Sequence, residues 1–196
     1  MPTTVIIPIK SFRLGKQRLA ETLDDARRAR LGRALAAHVA ATVESASLIP
    51  LIVTADHDVA DWATTSGFPS LPDPGTGLNA AAATGVEWAG EAGTRWIVLH
   101  GDLPLLNVSD VSCLGDISAN GRSVIAPSAD GGTSAIGGLG EFSFSFGSAS
   151  FHRHLPRMDR PEVVVRAGLS LDVDSPNDLE SAAASTRGRW LRDVLS

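Results

Sequence analysis

Short apolar runs rich in β-branched residues recur along the chain, and each has a proline, glycine or aspartate within two residues of its end. This pattern is typical of strands that are buried on both faces of a mostly parallel sheet. The clearest runs are residues 4–9, 49–54, 96–99 and 123–127. Less regular patterns predict further strands at residues 70–73, 135–139, 162–166 and 169–174, and an extended Phe-rich segment at 142–151.

Helical spacing of apolar residues fills the intervals between these runs. The longest helix is predicted to begin at a capping pattern around Thr22 and to reach about residue 47, with its arginines at 27, 28, 30 and 33 on a solvated face. Another helix begins at Ser175, where proline takes the first helical position and aspartate lies three residues after the cap. Strands that alternate with helices indicate an α/β fold, and we expect one domain over residues 1–196.

Composition narrows the class of protein without identifying it. The net charge of −5 and the lack of a dense basic block argue against a nucleic-acid partner. The single cysteine, Cys113, excludes an internal disulfide and a multi-cysteine metal site. Neither a signal peptide nor an apolar run of membrane-spanning length is present, so we expect a cytoplasmic protein with no membrane partner.

Three carboxylates are the main candidates for chemistry. Asp102 follows a buried strand, at the sheet edge where α/β proteins bind ligands, and it is either a metal ligand or a cap of the following loop. Asp172 and Asp174 are two residues apart in a predicted strand and therefore share a face. Like charges on one face repel each other unless a cation or solvent screens them. The pair therefore favours the metal interpretation.

Polar loops after the predicted strands suggest binding of a nucleotide. Four cations at positions 10, 13, 16 and 18 follow the first strand, where phosphates commonly bind, although a solvated loop is the alternative. Residues 73–82 combine two glycines with Asn79 and predict either a capped turn or a pocket for a purine base. The Gly-rich loop at 128–135 suits an anion. We expect the Phe-rich segment after it to pack into the core in preference to stacking on a base.

Six segments of the chain together resemble one family of enzymes. They read IPIKSFRLGKQRL, DPGTGLNAA, GDLPLL, APSADGGTSAI, FSFGSASFHRH and LDVDSPNDL, in the family's order. The family comprises the guanylyltransferases that activate a three-carbon phosphoacid with GTP for coenzyme F-420, namely 2-phospho-L-lactate guanylyltransferase and its phosphoenolpyruvate-using relatives. The resemblance implies a Rossmann-like, GT-A-like nucleotidyltransferase fold. It also implies transfer of GMP to the acid's phosphate with release of pyrophosphate, and phosphoenolpyruvate is our leading expectation for the acid.

The resemblance also assigns roles to individual residues. It implies a divalent metal, usually Mg²⁺, held by Asp102, Asp172 and Asp174. It implies phosphoacid contacts at Thr133, Gly147 and Ser150, triphosphate contacts at Lys10, Lys16 and Arg18, and guanine contacts at Gly77 and Asn79. Of these residues, Asp102 and Lys16 are the expected catalytic pair. No general base is needed because the attacking phosphate is already ionised, and we interpret His100 as structural.

The chain departs from the family's usual pattern where the acid would bind. Ser134 stands where members often carry asparagine, and Ser148 and Ala149 stand where they often carry a glycine-containing turn. These departures leave the identity of the acid open. Two alternatives also stay open: another nucleotidyltransferase of this fold, of molybdopterin or sugar-phosphate type, or a non-catalytic nucleotide-binding regulatory domain. The oligomeric state is open too, with a homodimer packed through the Phe-rich segment as one option.

Overall fold

One seven-stranded sheet forms the centre of the protein. The computed structural model describes every residue from Met1 to Ser196. The strands are β1 (Thr3–Pro8), β2 (Ile49–Thr54), β3 (Ser70–Pro72), β4 (Arg95–Leu99), β5 (Val124–Pro127), β6 (Thr133–Gly138) and β7 (Glu162–Val163). They lie in the order β3-β2-β1-β4-β6-β5-β7. All neighbouring pairs are parallel except β4/β6 and β5/β6, so β6 alone is reversed.

Helices cover both faces of this sheet. They are α1 (Asp25–Ser45), α2 (His57–Thr65), α3 (Leu78–Glu91), α4 (Val108–Ala119), α5 (Ser150–His154), α6 (Ala167–Ser170), α7 (Pro176–Ala184) and α8 (Leu191–Leu195). Val5 and Ile7 of β1 face a core shared with α1, α2 and α4. Ile6 faces the opposite core, which α3 and the Phe-rich segment close. The central strands are buried on both faces and all but one of the strands run parallel, so the predicted mostly parallel α/β sheet is confirmed.

Several local predictions need correction. Residues 169–174 are not a strand, because α6 occupies the start of this segment and Val173 then donates its backbone hydrogen bond to the Asp102 carbonyl at 3.2 Å. Helix α1 begins after Asp24, whose side chain accepts from the Arg27 amide, and not near Thr22. Arg28 is buried against α1's neighbours and ion-paired with Asp25 at 2.7 Å, so it is not on a solvated face.

Other elements differ from prediction only in extent. The strand expected at 162–166 shortens to β7, and the Phe-rich residues 142–147 are extended without joining the sheet. Helix α3 is capped by Gly77, with φ of 107°, and Asn79 lies inside its first turn. None of the helices combines the length and the apolar character needed to cross a membrane.

Candidate active site

The three predicted carboxylates meet at one edge of the sheet. Asp102 lies three residues after the last residue of β4, while Asp172 and Asp174 lie in the segment between α6 and α7. The bond from the Val173 amide to the Asp102 carbonyl ties that segment to the end of β4. As a result, one carboxylate oxygen from each aspartate lies within 4.8 Å of the other two. The structure therefore places together the residues that the resemblance implies as metal ligands.

Lys16 lies among these carboxylates. It takes a left-handed backbone conformation, with φ of 54°, directly after Gly15. Its ammonium group hydrogen-bonds Asp102 and lies 3.5 Å from Asp174 Oδ1, and only 12% of the side chain is exposed. Arg18 reaches the same cluster from its exposed side, 4.0 Å from Asp174 Oδ2. The loop after β1 thus brings positive charge to the carboxylates.

The charges in this cluster are only partly balanced. Burial alone would lower the pKa of Lys16, but Asp102, helped by Asp174 and Asp172, outweighs burial and raises it. Burial would raise the pKa of Asp102, but Lys16 and His100 hold it below its ordinary value. Burial, together with the negative charge of Asp102, raises the pKa of Asp172 to about 6. Asp172 is therefore a carboxylate without a cation partner of its own, and a divalent cation would supply one.

The donor set fits such a cation. Carboxylate oxygens are hard ligands of the kind that Mg²⁺ prefers, and Mg²⁺ is commonly held by one or two carboxylates together with substrate phosphates. Three carboxylates face one well-placed ammonium group here, so the cluster keeps a net negative charge. The residues present thus match the metal that the resemblance implies.

A cleft of about 880 Å³ extends from the carboxylates across the ends of the parallel strands. The loop after β1 lines it with Lys10 and Lys16, and the loop before α3 lines it with Gly77. Asn79 does not line it, because its side-chain oxygen accepts a hydrogen bond from the Phe146 amide at 2.7 Å. Arg18 lies outside the lining as well. The cleft therefore combines lysine and aspartate side chains with apolar ones such as Phe12 and Leu14.

Two of the predicted phosphoacid contacts lie together in a buried polar cluster. The Ser150 hydroxyl donates to Thr133 Oγ1 at 3.1 Å, and both residues are 1% exposed. Thr133 Oγ1 also bonds His154 Nδ1 at 3.1 Å, and His154 Nε2 accepts from the Ser145 amide at 2.8 Å. Gly147, with φ of 116°, forms the turn that leads into α5. These residues join the start of β6 to the turn before α5.

The structure shows the surroundings of the three departures from the family pattern. Ala149 takes a left-handed conformation with φ of 55°, so it occupies a position where glycine would be free of strain. Ser134 is fully buried and donates to the Ala126 carbonyl across the sheet at 3.3 Å. The Ser148 carbonyl accepts a hydrogen bond from Arg153. Ala149 therefore affects the shape of the turn and Ser134 the strand pairing near the predicted acid contacts, whereas the Ser148 contact is made by the backbone and the structure gives no reason for its side chain.

Some local contacts differ from what the sequence suggests. The loop at 128–132 was predicted to suit an anion, but two of its hydrogen-bond donors are already used. The Ser128 hydroxyl and the Gly132 amide both donate to the Asp130 carboxylate. The phenylalanines of the Phe-rich segment pack against one another, Trp96 and His154, so the expected core packing is confirmed. His154 was not identified from the sequence as a partner of Thr133, because no local pattern signals a contact between residues 21 positions apart.

Comparison with known proteins gives a consistent assignment. The family model described as guanylyl transferase CofC like matches residues 3–195. A phosphoenolpyruvate guanylyltransferase of Rubrobacter xylanophilus is 35% identical over 195 residues, which cover 94% of this chain and 95% of that protein. A 2-phospho-L-lactate guanylyltransferase of Methanothermobacter thermautotrophicus is 31% identical, covering 100% of this chain and 90% of that protein.

A solved structure has the same fold. It is the crystal structure of a Desulfovibrio desulfuricans protein assigned as a nucleotide-diphospho-sugar transferase, with a TM-score of 0.76. The alignment covers 98% of this chain and 95% of that one at 19% identity. At this identity the likeness shows the fold alone. It confirms the predicted nucleotidyltransferase architecture.

Proposed function

The chain belongs to the guanylyl transferase CofC like family, and on that premise we propose that it transfers the GMP unit of GTP to the phosphate of a three-carbon phosphoacid. The reaction forms a bond between an oxygen of the acid's phosphate and the α-phosphorus of GTP, and it releases pyrophosphate. Its product serves the biosynthesis of coenzyme F-420. Phosphoenolpyruvate is the favoured acid, since the Rubrobacter relative carries that name, and 2-phospho-L-lactate is the other candidate.

One observation carries this proposal. Asp102, Asp172 and Asp174 converge with Lys16 beside a cleft that is large enough for a nucleotide and its partner. Both reactants are phosphate anions, so the chief need of the reaction is to neutralise negative charge and to align the two groups. Cations from the first loop and carboxylates that can hold a divalent metal are the parts such a reaction needs. The family match favours this function over the molybdopterin, sugar-phosphate and regulatory alternatives.

The proposed roles on the nucleotide side follow from charge. Lys10, Lys16 and Arg18 bind the triphosphate and stabilise the negative charge that develops on the departing pyrophosphate. Asp102, Asp172 and Asp174 hold Mg²⁺, which when bound neutralises phosphate charge and polarises the α-phosphate. No side chain needs to remove a proton, because the attacking phosphate is ionised near neutral pH.

The proposed contacts to the base and to the acid come from different loops. Gly77, which lines the cleft at the start of α3, is the proposed guanine contact, whereas the side-chain oxygen of Asn79 is already bonded to the Phe146 amide, next to Gly147. The family resemblance assigns the acid to Thr133, Gly147 and Ser150, which lie beyond the cleft lining, with Thr133 and Ser150 each 1% exposed. His154 accepts from a backbone amide at Nε2, so its neutral ring carries hydrogen at Nδ1 and donates to Thr133. The Ser150 hydroxyl also donates to Thr133 Oγ1, so the Thr133 hydroxyl hydrogen is not used in either of these two bonds.

The test is a pyrophosphate-release assay on the purified protein. GTP, ATP, CTP and UTP are each combined with phosphoenolpyruvate, 2-phospho-L-lactate and 3-phosphoglycerate in the presence of Mg²⁺. We expect release only when GTP is combined with one of the three-carbon acids. Release with another nucleotide and no phosphoacid preference would contradict the proposal, and nucleotide binding without release would indicate a regulatory protein.

The metal ligands can be tested in the same assay. Asp102→Asn keeps the side-chain shape but removes the charge, so we expect it to abolish most turnover while the protein stays folded by circular dichroism. Asp61→Asn, on the exposed face of α2, is the matched control and should leave turnover unchanged. Near-normal turnover of Asp102→Asn would show that Asp102 is not a metal ligand.

A further inference from the structure

His100 has a buried ring nitrogen that the rest of the chain does not satisfy. The residue follows β4 directly and lines the cleft, yet its Nε2 atom is buried without a hydrogen-bond partner. Leaving such a group unpaired costs free energy, so buried imidazoles normally find partners. His38 and His154 of this protein do so, through the Leu106 carbonyl and through Thr133. A purely structural role therefore leaves the orphan nitrogen of His100 unexplained.

The position of His100 is the second observation. Its backbone amide donates to the Ser134 carbonyl at 2.9 Å, which joins the end of β4 to the start of β6. Its ring lies 5.5 Å from the ring of Phe146, next to the Gly147 turn. Asp102 is only two residues further along the chain. His100 thus lies between the carboxylate cluster on one side and the proposed acid contacts on the other.

The order of the strands divides the site between the two substrates. The lysines of the first loop and the loop before α3 line the cleft over β1, β2 and β3, so the nucleotide occupies that side. The acid's phosphate must meet the α-phosphate beside the carboxylates. The remainder of the acid then points away from the nucleotide, across β4 toward β6 and the Gly147 turn. His100 is the residue that the acid passes in that direction.

We propose that His100 donates a hydrogen bond to the carboxylate of the phosphoacid and thereby selects an acid over a simple phosphate ester. The proposal rests on the proposed function and adds a substrate contact to it. His100 lines the cleft, and the Cβ–Cγ torsion of an imidazole is soft, so the proposal requires the ring to turn and present a nitrogen to the acid. A charged acceptor suits this donor, since hydrogen bonds to ionised groups are the stronger ones.

The test compares His100→Phe with His100→Gln. Phenylalanine keeps a ring that can pack on Phe146 but has no nitrogen, whereas glutamine keeps an amide donor. For each protein the KM values of GTP and phosphoenolpyruvate are measured, together with the inhibition constant of vinyl phosphate, which has hydrogen in place of the carboxylate. Where the wild-type protein prefers 2-phospho-L-lactate, ethyl phosphate is the corresponding probe.

We expect His100→Phe to raise the KM of the acid by about 10- to 100-fold, the usual effect of losing a hydrogen bond to a charged group. The KM of GTP and the inhibition by vinyl phosphate should stay unchanged, and His100→Gln should recover part of the affinity. Equal weakening of phosphoenolpyruvate and vinyl phosphate, or an effect on GTP alone, would overturn the assignment. Absence of pyrophosphate release from the wild-type protein with every acid would instead refute the proposed function.

Discussion

The buried imidazole of His154 should make the stability of this protein depend on pH. His154, the last residue of α5, is fully buried against the phenylalanines of the Phe-rich segment. Burial, with smaller effects from Arg157, Arg153 and His100, lowers its pKa from 6.5 to about 4. Protonation would also place a hydrogen on Nε2, directly opposite the Ser145 amide hydrogen that this atom now accepts. The folded protein therefore binds a proton at His154 less readily than the unfolded chain does.

The sign and the size of the effect follow from this difference in pKa. Because the folded-state pKa is the lower one, the stabilisation is fully present above about pH 7 and is lost as the pH falls from 6.5 toward 4. A pKa shift of this size lowers the unfolding free energy by about 3 kcal/mol once the group is protonated in both the folded and the unfolded state. Between about pH 7.5 and pH 5, the unfolding free energy should fall by about 2 kcal/mol from His154 alone.

Urea denaturation at these two pH values measures the effect. His154→Gln removes the titrating group. Between the two pH values, the unfolding free energy of this variant should therefore decrease less than that of the wild-type protein, and the two decreases should differ by about 2 kcal/mol. Contributions from other titrating groups are shared by both proteins and cancel in the comparison. His152→Gln, an exposed neighbour on the same helix, should behave like the wild type. Equal losses in the wild-type protein and His154→Gln would refute the reasoning.

Two further predictions address the nucleotide loop and the packing of α3. Lys16→Ala should raise the apparent KM of GTP by about 10-fold or more, because the ammonium is proposed to bind the triphosphate. The KM of the acid should rise less. A rise in the KM of the acid alone would contradict the assignment of Lys16 to the triphosphate. Gly85→Ala should destabilise the protein by about 1–3 kcal/mol in urea denaturation, because its new Cβ would lie 2.4 Å from Ile6 Cγ2. Gly90→Ala on the same helix has open space and should instead stabilise it by about 0.5–1 kcal/mol, so equal effects of the two substitutions would contradict this account.

The structure brings Asp102, Asp172 and Asp174 together as the sequence predicted, although the secondary structure predicted for residues 169–174 was wrong, and the metal itself stays a prediction. Leu169, Leu171 and Val173 alternate with polar residues, which is the pattern of a half-buried strand. In the structure α6 begins the segment and no ladder forms, yet Asp172 and Asp174 still bring oxygens to Asp102. Side chains alternate in any extended backbone, with or without a partner strand. The prediction of a shared face therefore did not depend on the sheet.

The remaining differences between prediction and structure depend on whether the contact involves residues that are close together or far apart in the sequence. Arg28 lies three and seven positions before Leu31 and Leu35, so helical spacing alone could have placed it on the apolar face of α1. The contact of Asn79 with Phe146 could not be predicted in the same way, because these residues lie 67 positions apart. The same holds for His154 and Thr133. Long-range contacts of this kind define the proposed acid side and also hold Asn79, whereas the loop proposed to bind the triphosphate is local.

The reversed strand explains why the two sides differ. Parallel strands place their carboxyl ends together, so the nucleotide side of the site is formed by loops that follow β1, β2 and β3. Strand β6 runs antiparallel to β4, so its first residue, Thr133, lies at the edge where β4 ends. The proposed acid contacts therefore come from the beginning of a strand and from the turn that packs on it. Strand direction does not alter hydrophobic alternation, so the sequence pattern could locate this strand but could not orient it. The reversal allows one edge of the sheet to serve two anionic substrates, with the carboxylates between them.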